Sequence, residues 1–338
     1  MKRILSLLLP AAFLLATPAM AQQTLTAVKA RGSLTCGVSQ GLVGFSNPDE
    51  KGAWTGLDVD YCKAFAAAIF GDASKIKYIP LSAKDRFTAL QSGEIDVLTR
   101  NSTLTMSRDT TLGLDFPVTN YYDGQGFLVR KSLNIKSAKE LNGASICTQT
   151  GTTTELNAAD FFRANNLKYE IVVFVTNDDV IKAYDAGRCD AYTTDSSGLY
   201  AERLKLTNPD DHMILPEIIS KEPLSVAVRQ GDNQWADIVR WTHAALLTAE
   251  ELDVTTANVE EKMKSSDNPD IKRLLGAEGN YGEGVGLSKE WAVNVIKAVG
   301  NYGEMFERNL GKDTRMNIQR GLNAQWNKGG LQYAAPIR

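Results

Sequence analysis

The sequence predicts an α/β protein of two similar lobes, and three observations predict it. First, Ala89-Leu90-Gln91-Ser92-Gly93-Glu94-Ile95-Asp96 followed by Val97-Leu98-Thr99-Arg100-Asn101-Ser102 is echoed 94 residues later. The echo is Ala183-Tyr184-Asp185-Ala186-Gly187-Arg188-Cys189-Asp190 followed by Ala191-Tyr192-Thr193-Thr194-Asp195-Ser196. Second, each copy reads as a helix end, a glycine stop and a short strand that opens into polar residues. Third, strand and helix patterns alternate around each copy, as in a parallel sheet built from a βαβαβ unit. Two strand ends rich in hydroxyls and amides form two walls of one polar cleft, an arrangement suited to capturing a small polar molecule.

In chain order, residues 33–38 read as a buried strand and 39–51 as a polar, glycine-containing loop. A helix is expected over 58–70, with Val59, Phe65, Ala66 and Ile69 at helical spacing and Gly71 as its stop. A strand over 77–80, a helix carrying Phe87 and Leu90 and a strand over 95–98 complete the first unit. The second unit has a strand over 145–148, a loop over 149–153 and a helix over 154–165. It continues with a strand over 170–175, a helix capped by Asn177 and a strand over 189–193. Extended segments at 127–130 and 225–229 are expected to be two hinge strands, restricting the lobes to opening and closing. Beyond Asp232 the chain reads as helical, with Trp235, Ile238, Val239, Thr242 and Leu246 on one stripe and a further helix over 287–310. Residues 320–338 read as a strap over the surface.

The domain organisation follows. Residues 1–21 are a signal peptide, 22–129 the first part of lobe 1 and 130–226 lobe 2. Residues 227–275 return to lobe 1, and 276–338 form a C-terminal helical extension packed on it. The leader has Lys2 and Arg3, an apolar run from Ile4 to Leu15 and the small-residue site Ala19-Met20-Ala21, so the mature chain is expected to begin at Gln22. A membrane anchor is the alternative, but the run is shorter than the ~20 residues that span a bilayer. The remaining 317 residues carry 35 basic and 40 acidic side chains with no basic tract, which disfavours nucleic acid as a partner. Export permits disulfides. Of the four cysteines, Cys36 with Cys62 and Cys147 with Cys189 are the preferred pairs, each within one lobe; four buried free thiols are the alternative.

Several residues could carry binding chemistry. Thr103, Thr105 and Ser107 precede Arg108 just beyond a strand end, where open α/β sheets bind ligands. A guanidinium there offers two parallel donors to a carboxylate, unless it pairs with Asp109 on a solvated face. Thr152 and Thr153, in Gln149-Thr150-Gly151-Thr152-Thr153, sit at a strand-to-helix turn whose backbone N–H groups favour an anion, or else serve as ordinary caps. Asp195 can take an ammonium group. An arginine on one wall and an aspartate on the other suit a zwitterion such as an α-amino acid. Phe45 and Trp54 are candidates for an apolar surface against the ligand, with core packing as the alternative for Trp54. His212 and His243 lack partners at metal-ligand spacing, there is no G-x-S-x-G elbow, and no cofactor is expected.

These motifs resemble those of periplasmic solute-binding proteins for polar amino acids, the capture components of ABC importers. The resemblance rests on Gly44-Phe45-Ser46, Trp54-Thr55-Gly56-Leu57-Asp58-Val59-Asp60, Gly93-Glu94-Ile95-Asp96, Thr103-Leu104-Thr105 with Arg108, Gly151-Thr152-Thr153-Thr154-Glu155, and Asp190 with Asp195. Val299-Gly300-Asn301-Tyr302-Gly303-Glu304, Arg320-Gly321-Leu322-Asn323 and Gly329-Gly330-Leu331-Gln332-Tyr333 are similar to the longer, general L-amino-acid-binding branch. The resemblance implies the two-lobed periplasmic-binding-protein fold and an L-amino acid ligand. It implies ABC permease subunits as partners, a monomer in the periplasm, and no enzyme activity. Arg108, Thr103 and the backbone at Thr152 and Thr153 would hold the α-carboxylate. Asp195 would hold the α-ammonium, and Asn101 would line the cleft. Ser39 and Leu42 stand where relatives selective for basic amino acids often carry an acid and an aromatic, which implies broad specificity instead. A dehydratase of a cyclic carboxylic acid on the same scaffold is the alternative function.

Overall fold

The computed structural model describes residues 24–338, so the expected leader and its cleavage site lie outside the described residues. The first segment runs through α1 (Thr24–Arg31), β1 (Leu34–Ser39), a hairpin of β2 (Asn47–Pro48) and β3 (Trp54–Thr55), α2 (Leu57–Phe70) and β4 (Ile76–Leu81). It continues with α3 (Arg86–Ser92), β5 (Val97–Thr103), α4 (Met106–Thr111) and β6 (Leu114–Asp123). The middle segment comprises β7 (Gln125–Arg130), β8 (Ala144–Gln149), α5 (Thr153–Ala164), β9 (Tyr169–Phe174), α6 (Asn177–Asp185), β10 (Ala191–Asp195), α7 (Ser196–Arg203) and β11 (His212–Ile214). The chain returns as β12 (Glu222–Arg229), followed by α8 (Asn233–Glu251), α9 (Val259–Ser265), α10 (Pro269–Leu274), α11 (Trp291–Val299) and α12 (Tyr302–Asn309).

Two five-stranded sheets result, ordered β4-β1-β5-β12-β6 and β11-β7-β10-β8-β9. In the first, β1 is parallel to β4 and β5, while β12 runs antiparallel to β5 and β6. In the second, β8 is parallel to β9 and β10, while β7 is antiparallel to β10 and β11. Every residue of β1 is buried, as expected of a parallel strand covered on both faces. Among the described residues no helix is long and apolar enough to cross a membrane.

The expected βαβαβ units are present, with informative shifts. The strand expected over 95–98 begins at Val97 and continues to Thr103, because Ser102 and Thr103 still pair with Ser225 and Leu224 of β12. Asn101 and Thr103 are therefore held on a strand rather than a loop. Helix α6 is capped by Thr176, whose hydroxyl accepts from the Asp179 N–H at 3.1 Å, and not by Asn177. The helix expected over 287–310 breaks at Gly300-Asn301, where Asn301 and Glu304 form a reciprocal capping box.

Strand β6 had no counterpart in the expected elements. Pro117 disguises it, and it sits at a sheet edge with a register shift opposite the proline, positions that tolerate a missing N–H. Its existence moves the lobe boundaries. Strand β7 pairs wholly within the second sheet and β12 wholly within the first, so the crossings fall at Gly124 and between Ile214 and Glu222, not at 129/130 and 226/227. The two crossings run side by side: Ile219 N–H donates to the Gln125 carbonyl at 2.9 Å.

Helices α8, α11 and α12 pack on lobe 1. Trp235, Trp291, Tyr302 and Phe306 share one core with Leu34, Tyr61 and Phe65. The terminal strap covers the edge of β6, where the Asn323 side chain bonds both the N–H and the carbonyl of Tyr122, at 2.7 and 3.0 Å. Disulfides join Cys36 to Cys62 and Cys147 to Cys189, each inside one lobe. Cys189 itself precedes its expected strand, which begins at Ala191.

Gly56 precedes α2 with a φ of 127°, and a Cβ there would meet the Phe45 carbonyl oxygen at 2.1 Å. Backbone strain and overpacking combine at this site. Gly56→Ala is expected to lower the unfolding free energy by about 2–4 kcal/mol in urea titrations. An unchanged denaturation midpoint would contradict this packing.

Candidate ligand-binding cleft

The carboxyl ends of β5 and β10 face each other across the two crossings. Between them lies a small polar chamber. Lobe 1 contributes Leu42, Arg86, Arg100, Asn101 and Thr103; lobe 2 contributes Gln149, Thr152, Thr153, Thr154, Asn177, Thr194 and Asp195. The two echoed positions meet: Asn101 Nδ2 lies 3.5 Å from Asp195 Oδ2. A second inter-lobe contact joins Thr103 Oγ1 and Thr153 Oγ1 at 3.4 Å.

Glu222, the first residue of β12, ties these groups together. It accepts from Thr103 Oγ1 on lobe 1, and from Thr153 Oγ1 at 2.8 Å and Asn157 Nδ2 at 2.7 Å on lobe 2. Thr152 caps α5, accepting from the Glu155 N–H at 3.2 Å, and its hydroxyl donates to the Gln149 carbonyl at 2.7 Å. The first N–H groups of α5 thus stand at the chamber wall, with the positive end of a 12-residue helix behind them.

Arg108 is buried on α4. Its Nη1 donates to the Thr103 carbonyl at 2.8 Å, and its guanidinium lies 5.0 Å from the Phe87 ring centre. Burial lowers its pKa, while the Glu222 and Asp195 charges oppose that shift. It stands at the border of the chamber rather than in its lining, and no ion pair with Asp109 forms among the described residues. Burial drives the Asp195 carboxyl well above its ordinary value, and the Asp123 and Glu222 charges push the same way. A cation placed beside Asp195 would relieve that cost.

Two expected lining residues are elsewhere. Phe45 is fully buried and edge-on to Tyr121, with ring centres 5.4 Å apart. The loop after β1 folds back through the Leu42–Ser46 bridge, which turns the phenyl ring into the lobe-1 core and leaves Leu42 at the chamber. Trp54 packs on Tyr78 of β4, with ring centres 5.8 Å apart, and does not reach the cleft. Both histidines are structural: His243 bonds the Tyr61 hydroxyl at 2.7 Å and His212 that of Tyr184 at 2.8 Å.

Sequence reasoning missed Arg86 and Arg100 as chamber-lining residues, and Glu222 as the carboxylate that joins Thr103 to Thr153. Arg100 carried a local signal, since it falls between Thr99 and Asn101 in the first echoed segment. Arg86 and Glu222 had none, because their neighbours in space come from distant parts of the chain.

A closed, polar chamber formed by the strand ends of two hinged lobes defines the two-lobed class of solute-binding protein. The chain belongs to the bacterial extracellular solute-binding proteins, family 3, whose family model matches residues 34–258. It is 64% identical over 317 residues to the general L-amino acid-binding periplasmic protein AapJ of Rhizobium johnstonii, covering 93% of each chain. It is 57% identical to the glutamate/glutamine/aspartate/asparagine-binding protein BztA of Rhodobacter capsulatus, covering 95% of each. A solved periplasmic binding protein from Brucella ovis with glutathione bound is 64% identical, with a TM-score of 0.92 over 94% of this chain and 99% of that one. The extension beyond residue 258 is thus shared with full-length relatives.

Asp58, in the first turn of α2, accepts from the Asn101 N–H at 3.2 Å and faces Arg100; burial outweighs both and raises its carboxyl from 3.8 to about 6. A raised carboxyl contributes stability that is full below pH 3.8 and lost as pH rises through about 6. Asp58→Asn removes this titration. Wild-type stability is expected to decline relative to the variant by about 2 kcal/mol between about pH 4.5 and about pH 7.5. Urea unfolding of the ligand-free proteins measures the difference, and a difference independent of pH refutes the assignment.

Proposed function

We propose that this chain is the exported solute-capturing subunit of an ABC importer, closing on one L-amino acid and delivering it to membrane permease subunits. The observation that supports this reading is a polar chamber between the lobes, lined by Thr103 on one side and by Asp195 and the α5 N-terminus on the other, with the buried Arg108 bonded to the Thr103 carbonyl. In this reading Arg108, Thr103 and the N–H groups at Thr152 and Thr153 hold the α-carboxylate. Asp195 holds the α-ammonium, and Asn101 lines the cleft. These contacts use only groups common to all α-amino acids, so the side chain is broadly tolerated. AapJ and BztA, both named as binders of several amino acids, support that breadth.

Ligand contacts on both lobes stabilise the closed state by their differential affinity for it. The protein acts as a monomer in the periplasm, after removal of residues 1–21. The relatives are amino-acid-binding proteins and the family is one of solute-binding proteins, which disfavours a dehydratase on this scaffold.

A thermal-shift screen with the twenty amino acids tests the reading. A ligand at a hundredfold excess over its Kd stabilises the native form by about 2.7 kcal/mol, raising Tm by several degrees. No shift with any amino acid refutes the function. Asp195→Asn is expected to weaken L-amino acids about 10–150-fold, the loss of a charge-assisted contact, while sparing matched carboxylates that lack the amine. Equal losses in calorimetry would remove the ammonium role from Asp195.

A further inference from the structure

Helix α7 belongs to lobe 2 in sequence but packs on both lobes. Leu199 lies in a lobe-2 core with Tyr184 and Tyr192. The fully buried Ala201 instead belongs to the lobe-1 core, with Tyr200 and Leu204 packed against it. The helix starts at the first crossing, where the Ser197 N–H and hydroxyl donate to Asp123 and the Ser196 N–H donates to the Gly124 carbonyl at 2.7 Å. Its other end leads to Lys205, whose Nζ donates across the cleft to the Gly41 carbonyl of lobe 1 at 3.0 Å.

At about 1.5 Å per helical residue, Lys205 stands roughly 12 Å along α7 from Ser197. Opening about the crossings moves a near contact little and a far one much, so the Lys205 bond breaks while the Ser197 bonds need not. Lobe 2 holds the ammonium ready for it. Lys205 Nζ also donates to Asp178 Oδ1 at 3.0 Å and to Glu202 Oε1 at 3.2 Å. An ammonium has three N–H donors, and each here has one acceptor, two on lobe 2 and one on lobe 1. Asp178 is largely exposed, so that ion pair contributes little. Glu202 is fully buried, and its charge needs the lysine beside it. Burial works against the Lys205 charge, but Glu202 and Asp178 outweigh it and raise its pKa, so the ammonium is present at neutral pH.

The receiving side is equally fixed. Leu42 and Ser46 exchange backbone bonds of 2.7 and 2.9 Å, which stiffens the loop after β1. Leu42 lines the chamber, and Gly41 and Asp178 wall its outer end from the two lobes. A bond to the Gly41 carbonyl therefore holds the loop that borders the chamber. Lys205 itself lies outside the chamber lining.

We infer that Lys205 is an inter-lobe latch, a positioning residue that clasps the Gly41 carbonyl when the lobes close and sets how long a guest is held without touching it. The inference rests on the proposed capture of L-amino acids. It separates two tasks: the chamber residues set which guest binds, and the latch sets the retention time of every guest alike, because its bond is the same whatever the chamber holds.

The test is stopped-flow kinetics of the full mature protein with L-glutamate, L-glutamine and L-alanine, on wild type and Lys205→Met. Methionine keeps the apolar stem and removes the ammonium. A thermal melt checks folding; should the unpaired Glu202 unfold the variant, Lys205→Met combined with Glu202→Gln removes both charges of the pair and takes its place. Loss of a charge-assisted bond is expected to raise the dissociation rate about 10–150-fold for all three ligands, with the association rates and the order of the affinities unchanged. An unchanged dissociation rate in a folded variant overturns the latch and leaves the L-amino acid function standing. A loss confined to one ligand also overturns it, since Lys205 would then touch that guest. Wild type binding none of the three removes the function itself, and the latch is then judged in the ligand-free protein by spin labels at Glu50→Cys and Asp210→Cys, exposed positions on opposite lobes. Lys205→Met is expected to lengthen the mean separation of the labels, and an unchanged separation overturns the latch.

Discussion

Two crossings, one of them the single residue Gly124, hold the carboxyl ends of the parallel strands of two mixed sheets face to face. The rest of the site depends on that constraint. A parallel strand ends where its helix begins, so side chains and helix N-terminal N–H groups gather at the same edge. Placing two such edges opposite each other brings Asn101 against Asp195, and Thr103 against Thr153. Glu222 sits where the second crossing joins its sheet and receives donors from both lobes.

Closure also collects charges that oppose their own burial. Asp195 and Asp123 are both raised, each chiefly by loss of water, with Asp123 at about 6. Arg86 and Arg100 are lowered for the same reason. These groups carry opposite signs, yet Asp195 and the arginines form no ion pair among the described residues, so neither satisfies the other directly. In the proposed reading, a guest that is negative at one end and positive at the other would offset part of the burial cost on both walls, a gain that an open state, with each wall in water, does not have.

Much of the fold was legible because its signals are local. Glycine stops at Gly71 and Gly93, helical spacing in α2 and the echoed strand ends each involve a few neighbouring residues. The preferred disulfide pairs were also accessible, since each joins elements adjacent within one unit. Strand β6 was not, because Pro117 suppresses the strand signal and only its place at a sheet edge makes the proline harmless. In the site, Thr103 and Asp195 could be read from strand-end position and Thr152 and Thr153 from a strand-to-helix turn, while Asn101 came from the family resemblance. The direction of Phe45 could not, since it depends on a loop folding back, and neither could Arg86 or Glu222, whose partners are set by tertiary structure.

The C-terminal extension connects to the cleft through the same edge strand. Arg320 grips Glu250 of α8 with two bonds of 3.1 and 3.0 Å, and Asn323 fills the place of a neighbouring strand beside Tyr122. The Tyr302 hydroxyl donates to the Asn120 carbonyl of β6 at 2.9 Å, and the Asn101 N–H donates to Asp58 at 3.2 Å. Edge strands are otherwise free to fray or to pair with other chains. Here the last strand before the crossing is bonded on its open side, so lobe 1 presents Asn101 and its neighbours from a braced platform. Bending is then left to the crossings, where Gly124 stands between two paired strands.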